Sequence, residues 1–305
     1  MAGRFPAAPF LERATRALEK YGWRTEILGG KSEQEFREHA HKAVKDEVDA
    51  VFVVGGDGSI GQVASALAGS ETALGVLPAG TANVWAQELG LPALDWIHLF
   101  ALEESAERLA AGRIHYVDIG ICNDHAFLLW AGAGLDAHIV NSIEPRERWE
   151  KAFAMVHYAT LALWNSLDWD GVDMVAHSGS QSWEGRFLIA VACNIPAYAG
   201  GLLDLAPGAK VDDGLLDFWL LGGRSLRDAL TRVAQIFMGT HIDAPGIVHF
   251  RSAEAVFESG EHLPMQCDGE PCPIDPPIKF NVRKQALRVL VPSGEGRRAF
   301  TQSEE

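Results

Sequence analysis

The chain of 305 residues contains no uninterrupted apolar run approaching the ~20 residues that a membrane-spanning helix requires. Its N-terminus also lacks the basic, then apolar, then small-residue order of a secretory signal. A cytoplasmic protein is therefore expected, with peripheral membrane contact at most. Positive charge is scarce: 26 Lys and Arg stand against 41 Asp and Glu, for a net charge of −15. That deficit argues against a nucleic-acid partner and against broad electrostatic adhesion to anionic lipid, so any membrane contact must be apolar or local. Cysteine is sparse as well. Cys122, Cys193, Cys267 and Cys272 show no CxxC pairing, which points to reduced thiols rather than zinc or disulfides. His39 and His41, at i and i+2 of a helical pattern, face different directions and read as solvent-exposed. Repeats and low-complexity tracts are missing too.

The 48% apolar content is enough for a sizeable core, and the length suits two domains. The organising stretch is Val51 to Pro92. Ala50 to Val54 is a short apolar, β-branched run, the pattern of a buried parallel strand. It ends in Gly55-Gly56-Asp57-Gly58, where residues without a Cβ permit positive φ and close backbone approach. Ser59 is a candidate N-cap, and Ile60, Val63, Ala64 and Leu67 continue at helical spacing. Leu74 to Leu77, then Pro78-Ala79-Gly80-Thr81-Ala82-Asn83, then a helix to Leu89 repeat the unit. Helix N-termini facing glycine-rich loops suit phosphate, because free N–H groups and the helix dipole converge there. Gly55, Gly56 and Gly58 would offer main-chain donors, and Asp57 would reach Mg²⁺ directly or through water.

Before this stretch, residues 8 to 22 predict a helix and Trp23 to Leu28 a strand. Ser32 with Glu35 marks a capping box ahead of a helix carrying Phe36, Ala40, Val44 and Val48. After it, Asp95 to Ala111 predicts a helix that closes the first domain at Gly112. Ile114–Ile119, Ala126–Ala131, Val172–Ala176, Phe187–Cys193, Leu215–Leu221, Ile247–Phe257, Leu263–Cys267, Ile278–Val282 and Ala286–Val291 read as strands of a mostly antiparallel second domain. The longest helical stripe lies between Pro145 and Asp168 and could line an acyl-chain cleft or simply pack on the sheet. The domains expected are 1–112 and 113–292, with the polar tail 293–305 packing back on the first or disordered.

GGDGS, LPAGTAN, the Ala206 to Asp217 stretch (APGAKVDDGLLD) and Cys267-Asp268-Gly269-Glu270 occur in that order. Together they resemble the diacylglycerol kinase catalytic-domain family, which includes sphingosine and ceramide kinases, over nearly the whole chain from Leu11 to Pro292. NAD kinases share GGDG and the wider fold. The resemblance implies an α/β fold of two domains: a doubly wound parallel-sheet nucleotide domain and a β-sandwich-like second domain with helices. It implies ATP and Mg²⁺ as cofactors and a lipid substrate at the membrane surface, bound in a cleft between the domains; a homodimer is left open. Thr81 and Asn83 would belong, with Gly80, to a second nucleotide-facing loop. Asp268 would be the general base and Glu270 would serve the Mg²⁺ water network. Lys210, Asp213 and Leu215 would ligate a structural cation. Taken without the family, Asp-Gly-Glu is an ordinary turn or, on a strand, a pair of carboxylates on one side.

The chain departs from the family in three places. No first strand with an Asn-Pro-x-Ser-Gly loop precedes the first helix, which reads as a sequence beginning late in preference to one that has lost part of its ATP site. Gln62 stands where many members have Glu, and Val84 where many bacterial members have Asp. A lipid kinase is the leading expectation. A catalytically silent nucleotide- or lipid-binding regulator and, less well matched, an NAD kinase are the alternatives.

Overall fold

The computed structural model describes residues 8–30, 32–94, 98–143, 169–294 and 298–301. The helix expected between Pro145 and Asp168 lies outside the described residues. The chain divides into two compact units, residues 1–118 with 284–300, and 119–283 with 301–305.

The first unit is built on parallel strands. β1 (Ala50–Gly55) pairs in parallel with β2 (Ala73–Pro78), and β2 also pairs in parallel with the C-terminal part of β15 (Ile278–Val291) through Leu74 and Val289. Every residue of β2 is buried, as expected of a strand covered on both faces. The cover comes from helices. α3 (Asp57–Leu67) packs on β1 and β2, with α2 (Glu33–Lys45) against it; α5 (Ala101–Ala110) packs on β2, with α1 (Ala8–Lys20) against it. Ser32 caps α2 through its hydroxyl, which accepts from the Glu35 N–H at 3.2 Å. Gly75 is demanded by packing: a Cβ there would stand 2.5 Å from the Phe52 ring.

The pairings within the second unit are antiparallel. β5 (Trp130–Gly134), β7 (Gln181–Cys193), β6 (Val172–Ser178), β12 (Glu254–Glu258) and the first part of β15 follow one another in the sheet. β10 (Leu216–Gly222) joins β7 to β11 (Ile247–Ser252), and β13 (Met265–Cys267) joins β5 to β14 (Glu270–Pro271). β3 (Arg113–Cys122) and β4 (His125–Phe127) form a hairpin. β6 shows the two-residue period, with Val172, Met174 and Ala176 buried. An aromatic cluster fills this core: Phe218 stacks on Phe250 at 4.8 Å and meets Phe280 edge-on at 5.5 Å.

Several sequence expectations change. Trp23 to Leu28 pairs with no strand; Trp23 instead sets its ring edge-on to Phe52 at 5.5 Å, while Ile27 and Leu28 are exposed. The strands foreseen at Ile278–Val282 and Ala286–Val291 are one, interrupted only by Gln285 at φ +49°. Ile247–Phe257 is two strands, because β11 and β12 pair with different neighbours. Two helices were not foreseen: α6 (Leu135–Ile143) and α7 (Leu226–Phe237).

Candidate functional site

The glycine loops of the first unit touch. α3 begins at Asp57 with Gly56 as its N-cap, so Ser59 lies inside the first turn and does not cap it. Gly56 has φ −101° and ψ −176°, ordinary extended backbone; positive φ is not what requires glycine there. Close approach is. A Cβ on Gly80 would stand 2.3 Å from the Gly56 Cα, and one on Gly55 would stand 3.0 Å from the Ser59 Cβ. Gly58 and Ser59 place their N–H groups in the first turn of an 11-residue helix, where no carbonyl one turn earlier can receive them.

Asp57 joins the two loops. Its Oδ2 accepts from the Val84 N–H and its Oδ1 from the Trp85 N–H, both at 3.1 Å, at the start of α4 (Val84–Glu88). A carboxylate is favoured at that end of a helix. The residue is partly buried with its carboxylate turned inward, and burial raises its pKa against the lowering effect of the amides. Asn83 shapes the second loop. At φ +54° it accepts from the Gly80 N–H at 2.8 Å and donates to the Gly80 carbonyl at 2.9 Å. Thr81 is exposed at the tip, and Val84, where the family pattern often has Asp, is buried.

These residues fit a nucleotide's phosphates through main-chain donors. A hydrated cation beside the Asp57 carboxylate would favour its ionised form.

In the second unit, Asp268 and Gly269 are the two turn residues between β13 and β14, at φ +51° and +82°. Positive φ at both central residues is the type I′ hairpin geometry, for which Asp-Gly is well suited. The two carboxylates are therefore not aligned on one side of a strand, because Asp268 sits in the turn and Glu270 on the returning strand. The Asp268 carboxylate accepts from the N–H groups of Leu128 and Leu129 at 2.8 Å each and of Trp130 at 3.2 Å. The Asp268 N–H donates back to the Trp130 carbonyl at 2.9 Å.

Behind this turn lies a buried polar chain absent from the sequence reading. Gln266 accepts from the Gly269 N–H at 2.8 Å and donates to Asp136 Oδ2 at 3.0 Å; the Tyr198 hydroxyl donates to the same oxygen at 2.6 Å. Asp136 Oδ1 is buried with no hydrogen-bond partner. Burial raises the Asp136 pKa, opposed by those two donors. Asn194 fixes the segment that grips Asp268, donating from Nδ2 to the Leu128 carbonyl at 2.8 Å. The only signal in the sequence was polar residues amid apolar runs, in Gly134-Leu-Asp136 and Cys193-Asn194.

The expected structural-cation loop is occupied otherwise. Asp213 Oδ1 accepts from the Leu215 N–H at 3.0 Å, and its Oδ2 takes the Arg251 guanidinium. Arg251 also donates to buried Asp217 at 3.0 Å, and His249 lies 2.9 Å from the other Asp217 oxygen. Burial works against the Arg251 charge, but the two carboxylates outweigh it and hold its pKa above the usual value. The Asp213 carboxylate, one of the three expected ligands beside the Lys210 and Leu215 carbonyls, is thus balanced by a guanidinium in this structure. Among the described residues no cluster of three His, Cys, Asp or Glu forms a metal site. Cys267 and Cys272 bring their sulfurs within 3.1 Å as thiols.

Paired glycine loops on a parallel sheet are thus followed by an antiparallel unit that presents a gripped Asp-Gly-Glu turn. Residues 2–122 match the diacylglycerol kinase catalytic domain, and residues 130–291 match the YegS C-terminal NAD kinase beta sandwich-like domain. The chain belongs to the diacylglycerol kinase catalytic-domain family. It is 31% identical to a diacylglycerol kinase of Mycobacterium tuberculosis, over 88% of this chain and 84% of that one. It is 30% identical to a Pseudomonas aeruginosa protein named "Probable lipid kinase YegS-like", over 84% and 82%. A solved diacylglycerol kinase structure from Bacillus anthracis shares the fold at 19% identity, with a TM-score of 0.70 over 95% of this chain and 93% of that one.

Proposed function

We propose that this protein is an ATP-dependent lipid kinase that transfers the γ-phosphoryl group to a hydroxyl of diacylglycerol or a closely similar lipid. The observation that carries this reading is the contact between Gly56 and Gly80, which brings two glycine loops together at the N-terminus of α3. The N–H groups of Gly58 and Ser59 would receive phosphate oxygens there, with Gly55 and Gly56 keeping side chains out of the way and Thr81 at the rim. Asp57 acts mainly as a positioning residue that fixes the second loop. ATP would supply the phosphoryl group, and a Mg²⁺ bound with it would neutralise phosphate charge.

Asp268 is the proposed acceptor of the lipid hydroxyl proton. Three main-chain donors hold its carboxylate in one orientation. That suits phosphoryl transfer, in which positioning matters more than basicity because the transition state is loose. Glu270, two residues on, is the second carboxylate and would order the water around the metal.

The test is transfer of labelled phosphate from ATP to dispersed diacylglycerol and to other hydroxyl lipids. Labelled phosphatidic acid, lost in Asp268→Asn, supports the reading. Label in no lipid at all, or label appearing in NAD instead, overturns it. The names of the relatives motivate diacylglycerol as the first acceptor to try.

A further inference from the structure

α7 is amphipathic the wrong way round for a core helix. Of its twelve residues only Ile236 is buried. Its large apolar side chains point outward: Leu230 is 53% exposed, Val233 49%, and Phe237 at its end 79%. The exposed row continues past the helix with Met238 at 65% and Ile242 at 48%, and Leu202, beside the strand β9 (Leu203–Asp204) on which α7 packs, is 56% exposed. Leu230, Val233 and Phe237 fall at i, i+3 and i+7, one face of a helix. Apolar side chains collected on one outward face mark a surface that something covers.

Charge identifies the cover. The segment 223–243 carries Arg224, Arg227 and Arg232 against Asp228 and Asp243, the latter at its far end, in a chain whose net charge is −15. Asp228 is turned back into the helix start, where it accepts from the Arg224 N–H and the Ser225 hydroxyl at 2.9 Å each. Arg232 is also turned inward, donating to the Gly222 and Pro245 carbonyls. Arg224 and Arg227 remain exposed at the N-terminal end of the apolar row. Aromatic, Met and aliphatic side chains with arginines beside them are the composition of a helix lying in the interface of an anionic bilayer.

We infer that α7, with Met238, Ile242 and Leu202, is the surface by which this protein docks on an anionic lipid membrane. Phe237 and Met238 enter the boundary between headgroups and acyl chains, while Arg224 and Arg227 meet anionic headgroups. Docking here is local and apolar, as the overall negative charge requires. The inference rests on the lipid-kinase reading for its biological use, since a long-chain lipid substrate must be met at a membrane, but docking is measurable without turnover.

The test is co-sedimentation of the full chain with phosphatidylcholine vesicles, with and without phosphatidylglycerol, in the absence of ATP. The expected result is binding that is stronger with phosphatidylglycerol and falls about tenfold or more in Phe237→Glu/Met238→Glu, because two large apolar groups no longer leave water. Arg224→Ala/Arg227→Ala should weaken binding to the anionic vesicles alone, and added salt should remove the difference. Thermal unfolding of the Glu variant should match the parent, since both side chains already face solvent, and phosphorylation of a soluble short-chain diacylglycerol should be unchanged. Equal sedimentation of parent and Glu variant overturns the inference. So does a parent that ignores vesicles but is a dimer by light scattering and a monomer once Phe237 is Glu, because a second copy then covers the face. Vesicle binding lost in the Glu variant of a protein that phosphorylates no lipid would uphold this surface while refuting the kinase reading.

Discussion

Asp57 and Asp268 sit in similar words, Gly-Asp-Gly and Cys-Asp-Gly, and the fold uses their carboxylates similarly. Each grips consecutive main-chain N–H groups of a remote segment: Val84 and Trp85 for Asp57, and Leu128 to Trp130 for Asp268. The backbone differs. Asp57 opens a helix, whereas Asp268 occupies the left-handed position of a hairpin turn. Asp57 closes one loop against another and leaves the helix start to act on a ligand. Asp268 has its own carboxylate held in place, so its function lies in the side chain itself. On the function proposed above, Asp57 is scaffolding for a phosphate loop and Asp268 is the reacting group.

The comparison can be broken by substitution, beginning with the largest expected effect. Asp268→Ala should lower phosphoryl transfer by roughly 10²–10⁴-fold, the usual worth of a proton acceptor. It should also cost on the order of 1–3 kcal/mol in denaturant unfolding, because three N–H groups lose their acceptor. If turnover survives, the assignment of roles is wrong. Gly80→Ala forces a methyl against the Gly56 backbone, so an unfolding cost of about 1–3 kcal/mol and weaker ATP binding by calorimetry are expected together. Asp57→Ala should cost about 1 kcal/mol, the worth of a helix cap, and raise the Michaelis constant for ATP more than it lowers maximal turnover. An unchanged Michaelis constant with abolished turnover would make Asp57 a reacting group like Asp268, and the contrast would vanish.

The smallest effect sharpens the picture behind the turn. Burial raises the Asp136 pKa, so this carboxyl binds its proton more tightly in the folded chain than in the unfolded one. Its contribution to stability is therefore full below about pH 4, the ordinary carboxylate value, and is lost as pH rises from there through the folded value. Asp136→Asn keeps an oxygen for Tyr198 and Gln266 but removes the titration. Melting temperature followed upward from pH 4 should decline less steeply in the variant than in the parent.

The parallel strands β1 and β2 and their glycine loops were legible because short β-branched runs ending in glycine have few other uses. The antiparallel character of the second unit was legible from strands following strands. The grip on each aspartate was not, since the donors are main-chain groups, identical in every residue but proline. α7 was missed for a related reason: most of its apolar residues face outward, so no expected core position asked for a helix there. Trp23 to Leu28 has the composition of a strand, but a strand exists only where a partner edge is available. The pairing of Asp213 with Arg251 was not legible, because it depends on a residue 38 positions away.

β3 leaves the first unit and β15 returns to it, with Val289 beside Leu74. The nucleotide-loop unit is consequently not a contiguous stretch of gene. A fragment stopped at Gly112 would lack residues 284–300 and strip β2 of its neighbour along one side, exposing unsatisfied amides and carbonyls of a strand that is buried throughout. Expressed by itself, such a fragment should aggregate; co-expressed with the remainder of the polypeptide, it should be recovered in complex with it.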